Sequence, residues 1–455
     1  MQQKSFWIQN EQPAFPVLRG RRNADAVVIG GGLSGLTVGL WLSKAGLRVI
    51  LLEARTLGSG ASSRCAGMAS LSNGLFYDRV ERRMGLEVAA AYAQTQLSAF
   101  QALRDLAREQ GEAVGWRDID AYVVSDSEKE DDSLAREAEA MRRAGINATL
   151  AKPTQCPLPA SQSILMRDMA TLHPIRYLRQ LARQAQELGL KVFEQSRVTS
   201  LETNLVYTER GSVLAPYLVV ATGYPVVNTP GWYFLRMTQR QGYLAPLEGG
   251  AAFGGMYYDA NGRYALRRLR EGMLLQMDFG RVGSRVHDQP EKRFQEVYAP
   301  YLEGARPGRI EGGIDAYSAD GLPYIGAYSK KTPNLFVASG YGGRGLIGSM
   351  VAAQAISAKI LGLPGEGYGV YSGQRRGAGV FSDECKTLFS IGGRYLRGMA
   401  RVHAPRCPHL GCKLVYRPQS RMWECPCHGS RFDDIGHVLN APAIHDAPIH
   451  HRRGG

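Results

Sequence analysis

Ala26-Val27-Val28-Ile29-Gly30-Gly31-Gly32-Leu33-Ser34-Gly35 is the stretch on which the fold turns. Its four apolar residues, mostly β-branched, read as a short buried strand that runs straight into a glycine-rich turn and then an apolar helix to about Ala45. Gly46 stops that helix, and residues 48–52 read as a second strand closed by the acid Glu53. This is a strand–turn–helix–strand unit of about 30 residues, the context in which GxGxxG binds a dinucleotide. Each glycine has a task. Gly30 allows the tight turn, Gly32 admits a pyrophosphate against the backbone, and Gly35 lets helix and strand pack closely. The helix start offers unpaired amides and positive potential to phosphates, while Glu53 can accept a ribose hydroxyl. The glycines alone do not choose between FAD and NAD.

The chain around this unit has 455 residues, too many for one ordinary core and suited to two or three domains. With 44% hydrophobic and 21% charged residues it reads as globular, which excludes disorder, collagen and coiled coil. No apolar run reaches the roughly 18 residues of a membrane span. The first twenty residues lack the apolar core and cleavage site of a secretory signal, so a cytoplasmic location is expected. A net charge of +14 points to an anionic partner. Its basic residues are scattered rather than gathered in an aromatic-interleaved stripe, so nucleic acid is set aside and an acidic protein or carboxylate is expected.

Farther along, residues 80–150 read as mostly helical and 174–188 as another helix leading to a strand at 191–193. Strand-like segments follow at 198–201, 205–207 and 217–220, the last running into Ala221-Thr222-Gly223. Residues 230–300 alternate as antiparallel strands do. A strand at 334–338 leads into Ser339-Gly340-Tyr341-Gly342-Gly343-Arg344-Gly345 and a helix to about 361. Glycine-rich residues 363–380 read as a linker to a small terminal domain, and no internal repeat is visible.

That last domain holds four of the seven cysteines, Cys407, Cys412, Cys425 and Cys427, whereas Cys65, Cys156 and Cys385 are dispersed. Such crowding suggests a local metal site rather than a disulfide scaffold. Two Cys-plus-His pairs, Cys407-x-His409 and Cys425-x-x-His428, stand fifteen residues apart. Structural zinc also takes Cys and His, but zinc fingers favour CxxC with HxxxH.

Both halves resemble known families. VVIGGGLSGL with LLEA, GSGASSRCAGM at 58–68, LVVATG at 218–223, DGLPYIG at 320–326 and ASGYGGRGL resemble the D-amino-acid-oxidase-like (DAO) FAD oxidoreductases, which include sarcosine and glycine oxidases. The resemblance implies FAD. Its binding residues would be Gly30, Gly32, Leu33, Ser34, Gly35, Glu53, Ala54, Arg55, Ser62, Ser63, Arg64, Val198, Thr222, Gly223, Gly343 and Gly345. The 340–345 loop would aim a helix N-terminus at the flavin, although its glycines can also be read as a second nucleotide motif. Arg64 stands where relatives with covalent flavin carry histidine, so non-covalent FAD is expected. Tyr264-Ala265-Leu266-Arg267 aligns with a Tyr-x-x-Arg segment, which makes Tyr264 and Arg267 candidates for substrate positioning; Arg344, often histidine in relatives, is a third. Arg267 can clamp a carboxylate or be a solvated surface charge. Cys65 and His173 read as structural residues.

The tail is similar to a Rieske domain, which implies a [2Fe-2S] cluster with Cys407 and Cys425 on one iron and His409 and His428 on the other. The same resemblance implies a disulfide between Cys412 and Cys427 and a Ser430 hydrogen bond to cluster sulfur. Phe432 replaces the usual tyrosine, so the expected potential lies below respiratory Rieske proteins and above plant-type ferredoxins. Fewer than thirty residues follow His428, too few for the catalytic domain of a Rieske oxygenase; His445 and His450 read as bystanders.

The expected fold is α/β (α+β): a Rossmann-type FAD-binding domain interleaved with an antiparallel substrate domain, plus a small all-β Rieske domain. The expected division is an arm at 1–22; FAD-binding segments at 23–80, 160–228 and 310–362; a helical insert and substrate domain at 81–159 and 229–309; a linker at 363–384; and the Rieske domain at 385–455. The expected activity is oxidation of an amine or amino acid, the hydride going to flavin and electrons leaving singly through the cluster to an acidic acceptor protein or dioxygen. The alternatives are an NAD(P)H-fed reductase serving a partner enzyme, and a redox sensor without turnover.

Overall fold

Strand Ala26–Ile29 is buried at all four positions, Ala26 and Val28 against a layer of helices and Val27 and Ile29 against a small sheet on the other face. The computed structural model describes residues 5–8, 15–283, 289–375, 378–401, 403–418 and 420–449. In it this strand lies third in a six-stranded sheet counted from strand Lys191–Phe193, with Val49–Leu52 on one side and Tyr217–Gly223 on the other. Strand Thr332–Ser339 continues the parallel set, and Tyr324–Ser329 closes the edge antiparallel. The buried helix Leu33–Lys44 packs on helices Pro174–Glu187 and Gly345–Leu361.

A ten-stranded, mostly antiparallel sheet stands beside it, centred on the hairpin-linked strands Met256–Asp259, Tyr264–Arg268 and Met273–Arg281. The long strand Met237–Gly249 pairs with Met273–Arg281 on one edge and with Glu311–Ser318 on the other. A third sheet, Gly20–Asn23 with 198–214, carries the start of the chain. The C-terminal sheet is a four-stranded meander from Val415–Arg417 to Val438–Asn440.

Residues 80–150 are mostly helical as expected, but Arg117–Ser125 between helices Leu86–Arg108 and Glu128–Arg143 is a strand that the sequence did not show, and it joins the ten-stranded sheet beside Gln162–Thr171. The strand is buried only in its second half, so its alternation is weak beside the strong helical periods that flank it. The boundary expected at 384/385 falls inside one helix, Ala378–Met399. All but one of the glycines that suggested a linker precede this helix, whose Asp383 and Glu384 pair with Arg83 and Arg236 of the body while Ile391 is buried with the cysteines of the C-terminal unit.

Candidate functional site

A cavity of about 350 Å³ opens where the carboxyl ends of the parallel strands meet the antiparallel sheet. Gly30, Gly32, Leu33, Ser34, Glu53, Ala54, Arg55, Ser62, Arg64, Val198, Thr222, Gly223, Gly343 and Gly345 all line it. Gly35 and Ser63 do not, for reasons visible in the packing. A Cβ on Gly35 would stand 1.9 Å from the Gly30 carbonyl oxygen, so this glycine serves helix–strand contact. Ser63 is buried; its Oγ accepts from Arg64 Nη1 at 2.7 Å.

The phosphate cradle is built as its chemistry demands. Gly30 has φ +112°, and a Cβ there would approach the Ala221 oxygen to 2.4 Å. Helix Leu33–Lys44 has no side-chain cap and no acid in its first turn, which leaves its N-terminal potential to an anion. Ser62 Oγ accepts from the Leu33 amide at 3.0 Å, and the Glu53 carboxylate accepts from the amides of Gly31 at 2.7 Å and Arg55 at 2.8 Å. Helix Gly345–Leu361 presents a second N-terminus to the cavity through Gly343 and Gly345, with the Gly343 amide donating to the Asp315 carboxylate. These residues fit FAD.

Of the three candidates for substrate positioning, Tyr264 lines the cavity, and burial pushes its phenol up so that it stays protonated. Arg267 and Arg344 are not among the lining side chains. Arg267 is buried rather than a surface charge: its Nη1 donates to the carbonyls of Gly67 and, at 3.1 Å, Leu172, while its Nε meets no partner among the described residues. Burial pulls its guanidinium down to about 10. The Arg344 guanidinium lies 4.0 Å from the Phe76 ring centre and donates to the Gly321 carbonyl at 2.8 Å. Cys65 lines the cavity with a thiol pushed up by burial, as a packing residue would be. His173 caps helix Pro174–Glu187 by accepting from the Arg176 amide at 3.2 Å.

Sequence reasoning missed Asp315, Tyr341 and Gln239, all on the cavity wall. Asp315 accepts from the Gly343 amide at 2.6 Å, and burial raises its carboxyl. Tyr341 accepts from Ser34 Oγ at 2.8 Å, tying the two glycine-rich loops together. Only the Tyr341 position, inside the 340–345 loop, carried a signal in the sequence.

In the C-terminal unit, His409 and His428 stand with ring centres 5.0 Å apart. Their Nδ1 atoms are buried and find no partner among the described residues, which suits atoms that would bind iron. Burial pulls the imidazoles down to about 4 and 3, keeping both in the neutral form a metal needs. Ser430 contacts the Cys407 sulfur and its Oγ accepts from the Ala443 amide at 3.1 Å, and Phe432 is fully buried. The expected Cys412–Cys427 disulfide is not formed; all seven cysteines are free. Instead the sulfurs of Cys412, Cys425 and Cys427 gather within 4.8 Å of one another. That trio contains no histidine, whereas Cys407, which contacts Cys425, and the two imidazoles with unpartnered Nδ1 atoms would supply, with Cys425, the Cys₂His₂ set of a Rieske centre. His445 is exposed, and His450 lies outside the described residues.

The histidine edge faces the rest of the chain. Phe234 presents its ring to His409 and His428 at 5.7 and 5.8 Å, and His409 Nε2 lies 2.7 Å from Asn228 Oδ1. Gln239 Nε2 donates to the carbonyls of His428 at 2.7 Å and Ala441 at 2.8 Å. Segment 439–444 of the C-terminal unit itself forms part of the cavity wall, where Arg55 Nη1 donates to the Leu439 carbonyl at 3.0 Å.

Residues 25–359 match the family model of the FAD dependent oxidoreductases, DAO. The chain belongs to that family. Residues 373–451 match the Rieske [2Fe-2S] domain, so this DAO protein carries FAD and a Rieske cluster. It is 24% identical to the Bacillus subtilis Rieske 2Fe-2S iron-sulfur protein YhfW, over 97% of this chain and 96% of that one. It is 25% identical to Escherichia coli gamma-glutamylputrescine oxidoreductase over 47% of this chain and 52% of the relative. Glycine oxidase from Geobacillus kaustophilus shares its fold with a TM-score of 0.66 at 20% identity, covering 78% of this chain and 99% of that one. L-proline dehydrogenase from P. horikoshii does so at 0.65 and 19%, covering 79% and 98%. Among the described residues no helix is long and apolar enough to cross a membrane.

Proposed function

We propose that the protein oxidises an amine or amino acid at the carbon next to nitrogen and delivers the electrons, one at a time, through its own Rieske centre to an external acceptor. When bound, the flavin supplies two-electron hydride acceptance and the cluster one-electron transfer. The observation that carries the reading is Gln239, which lines the cavity and also hydrogen-bonds the His428 carbonyl at 2.7 Å. One side chain thus joins the cavity wall to a cluster ligand. The names of its relatives, glycine oxidase and gamma-glutamylputrescine oxidoreductase, support an amine or amino acid as substrate.

The chain's residues shape such a substrate's site. Tyr264 lines the wall with its hydroxyl engaged to Cys156, and Tyr258 and Tyr243 add ring surface on the same wall. Arg240, paired to Asp278 at the cavity wall, is the cation we assign to a substrate carboxylate, the role the sequence suggested for Arg267. Asp315, raised by burial, can hold a proton beside the Gly343 amide.

The test is anaerobic mixing of the FAD- and cluster-loaded protein with a panel of amines and amino acids, and separately with NADH and NADPH. Flavin bleaching by an amine, followed by the EPR signal of a reduced Rieske centre, is expected. Bleaching by nicotinamide alone would make the protein a reductase.

A further inference from the structure

Helix Ala378–Met399 has two unlike faces. The inner one holds it in place. Ile391 is buried in one core with Cys407, Cys412, Cys425 and Cys427. Arg394 Nη1 donates to the carbonyls of Val282 at 2.8 Å and Pro426 at 3.3 Å. A Cβ on Gly398 would stand 3.7 Å from Lys413 Cβ, beside Cys412. Both acidic side chains of the helix turn to the body, Asp383 to Arg83 and Glu384 to Arg236.

The outer face is apolar and bare. Phe389 is 79% exposed, Phe381 69%, Leu396 67% and Met399 61%, with Leu388 and Tyr395 also exposed between them. At helical spacing these six fall within a stripe about 120° wide that runs about five turns. Cys385 and Gly392 fill its remaining positions, so no charge interrupts it. Exposed Lys386, Arg397 and Arg401 follow one edge; Lys386 lies 3.8 Å from Asp383. A stripe this long, left open on a folded protein, marks an interaction surface.

We propose that this face docks the protein on an anionic lipid bilayer, the helix lying in the plane of the interface. Charge decides the occupant. The chain carries +14, the cations stand at the stripe's edge, and the helix's own acids are turned inward. A second copy would bring another +14 against the same face. Because the inner face rests on the loop of Cys425 and Cys427, docking holds the cysteine side of the cluster about one helix diameter from the lipid. The histidine side stays turned to the body at Asn228 and Phe234. The surface stands on geometry and charge, whatever the substrate is.

The test is co-sedimentation of the full, FAD- and cluster-loaded chain with phosphatidylcholine vesicles, with and without phosphatidylglycerol, alongside sedimentation equilibrium. Binding to the anionic vesicles is expected, weakening as salt rises. F389S/L396S should lower the partition coefficient by at least about tenfold, with flavin and cluster spectra retained. K386E/R397E, which spares the apolar stripe, should lower it as well. The proposal is overturned by failure to bind anionic vesicles, by equal binding to neutral ones, or by undiminished binding of F389S/L396S. A dimer dispersed by that double substitution overturns it too, since the stripe would then be a self-interface.

Discussion

The flavin-binding body and the C-terminal unit are held together in opposite ways. The body buries a continuous core that runs from Ala26 through the helices Leu33–Lys44 and Gly345–Leu361 to the antiparallel sheet. Among the described residues the apolar core of the C-terminal unit has ten buried members, and four of them are cysteines. Apolar burial suffices for the first, while the second depends on its metal and on the surface it leans against. Substitutions that separate these two kinds of stability are the way to break the comparison.

The largest effect belongs to the ligands. Cys425→Ser should abolish the Rieske EPR and visible dichroism and open residues 400–449 to proteolysis, while FAD stays bound. A variant whose C-terminal unit resists protease as well as the parent would show that the metal is not its keystone. Gly35→Val comes next. Its side chain would drive into the Gly30 carbonyl, so FAD affinity should fall at least about a hundredfold, about 2.7 kcal/mol, with the cluster intact. Equilibrium dialysis against FAD measures it.

Arg267→Met leaves the Gly67 and Leu172 carbonyls without their buried donor and should cost about 2 kcal/mol in denaturant unfolding. The smallest effect is electrostatic. Burial pulls His173 down from 6.5 to about 4, so its contribution is complete above pH 6.5 and is lost as pH falls from 6.5 towards 4. The unfolded chain takes up the proton there and the native chain does not. His173→Asn keeps an acceptor at the cap and should remove about 1 kcal/mol of that slope, part of it already screened by solvent.

What the sequence could reveal follows from the range of the interactions involved. The turn at Gly30–Gly35 and the cluster ligands are local patterns in which residue type and spacing are the chemistry. They were legible, and so was the second loop at Gly343 and Gly345. Strand Arg117–Ser125 was hidden because its partner Gln162–Thr171 is distant and only half of it is buried. Arg267 was misplaced because the sequence ALRRLR does not say which arginine the sheet turns inward. Gln239, Asn228 and Phe234 were invisible. They gain meaning only when the C-terminal unit folds back onto strand Met237–Gly249 and the loop before it. Helix Ala378–Met399 was hidden behind the glycines before it.

The central claim is that the cavity and the cluster belong to one electron path within a single chain. Rapid-freeze EPR after anaerobic mixing with a reducing amine, repeated across a hundredfold range of protein concentration, tests it most directly. The account predicts cluster reduction with a first-order rate that does not change on dilution. A rate that falls in proportion to protein concentration, or a flavin that bleaches while the cluster stays oxidised, would contradict it.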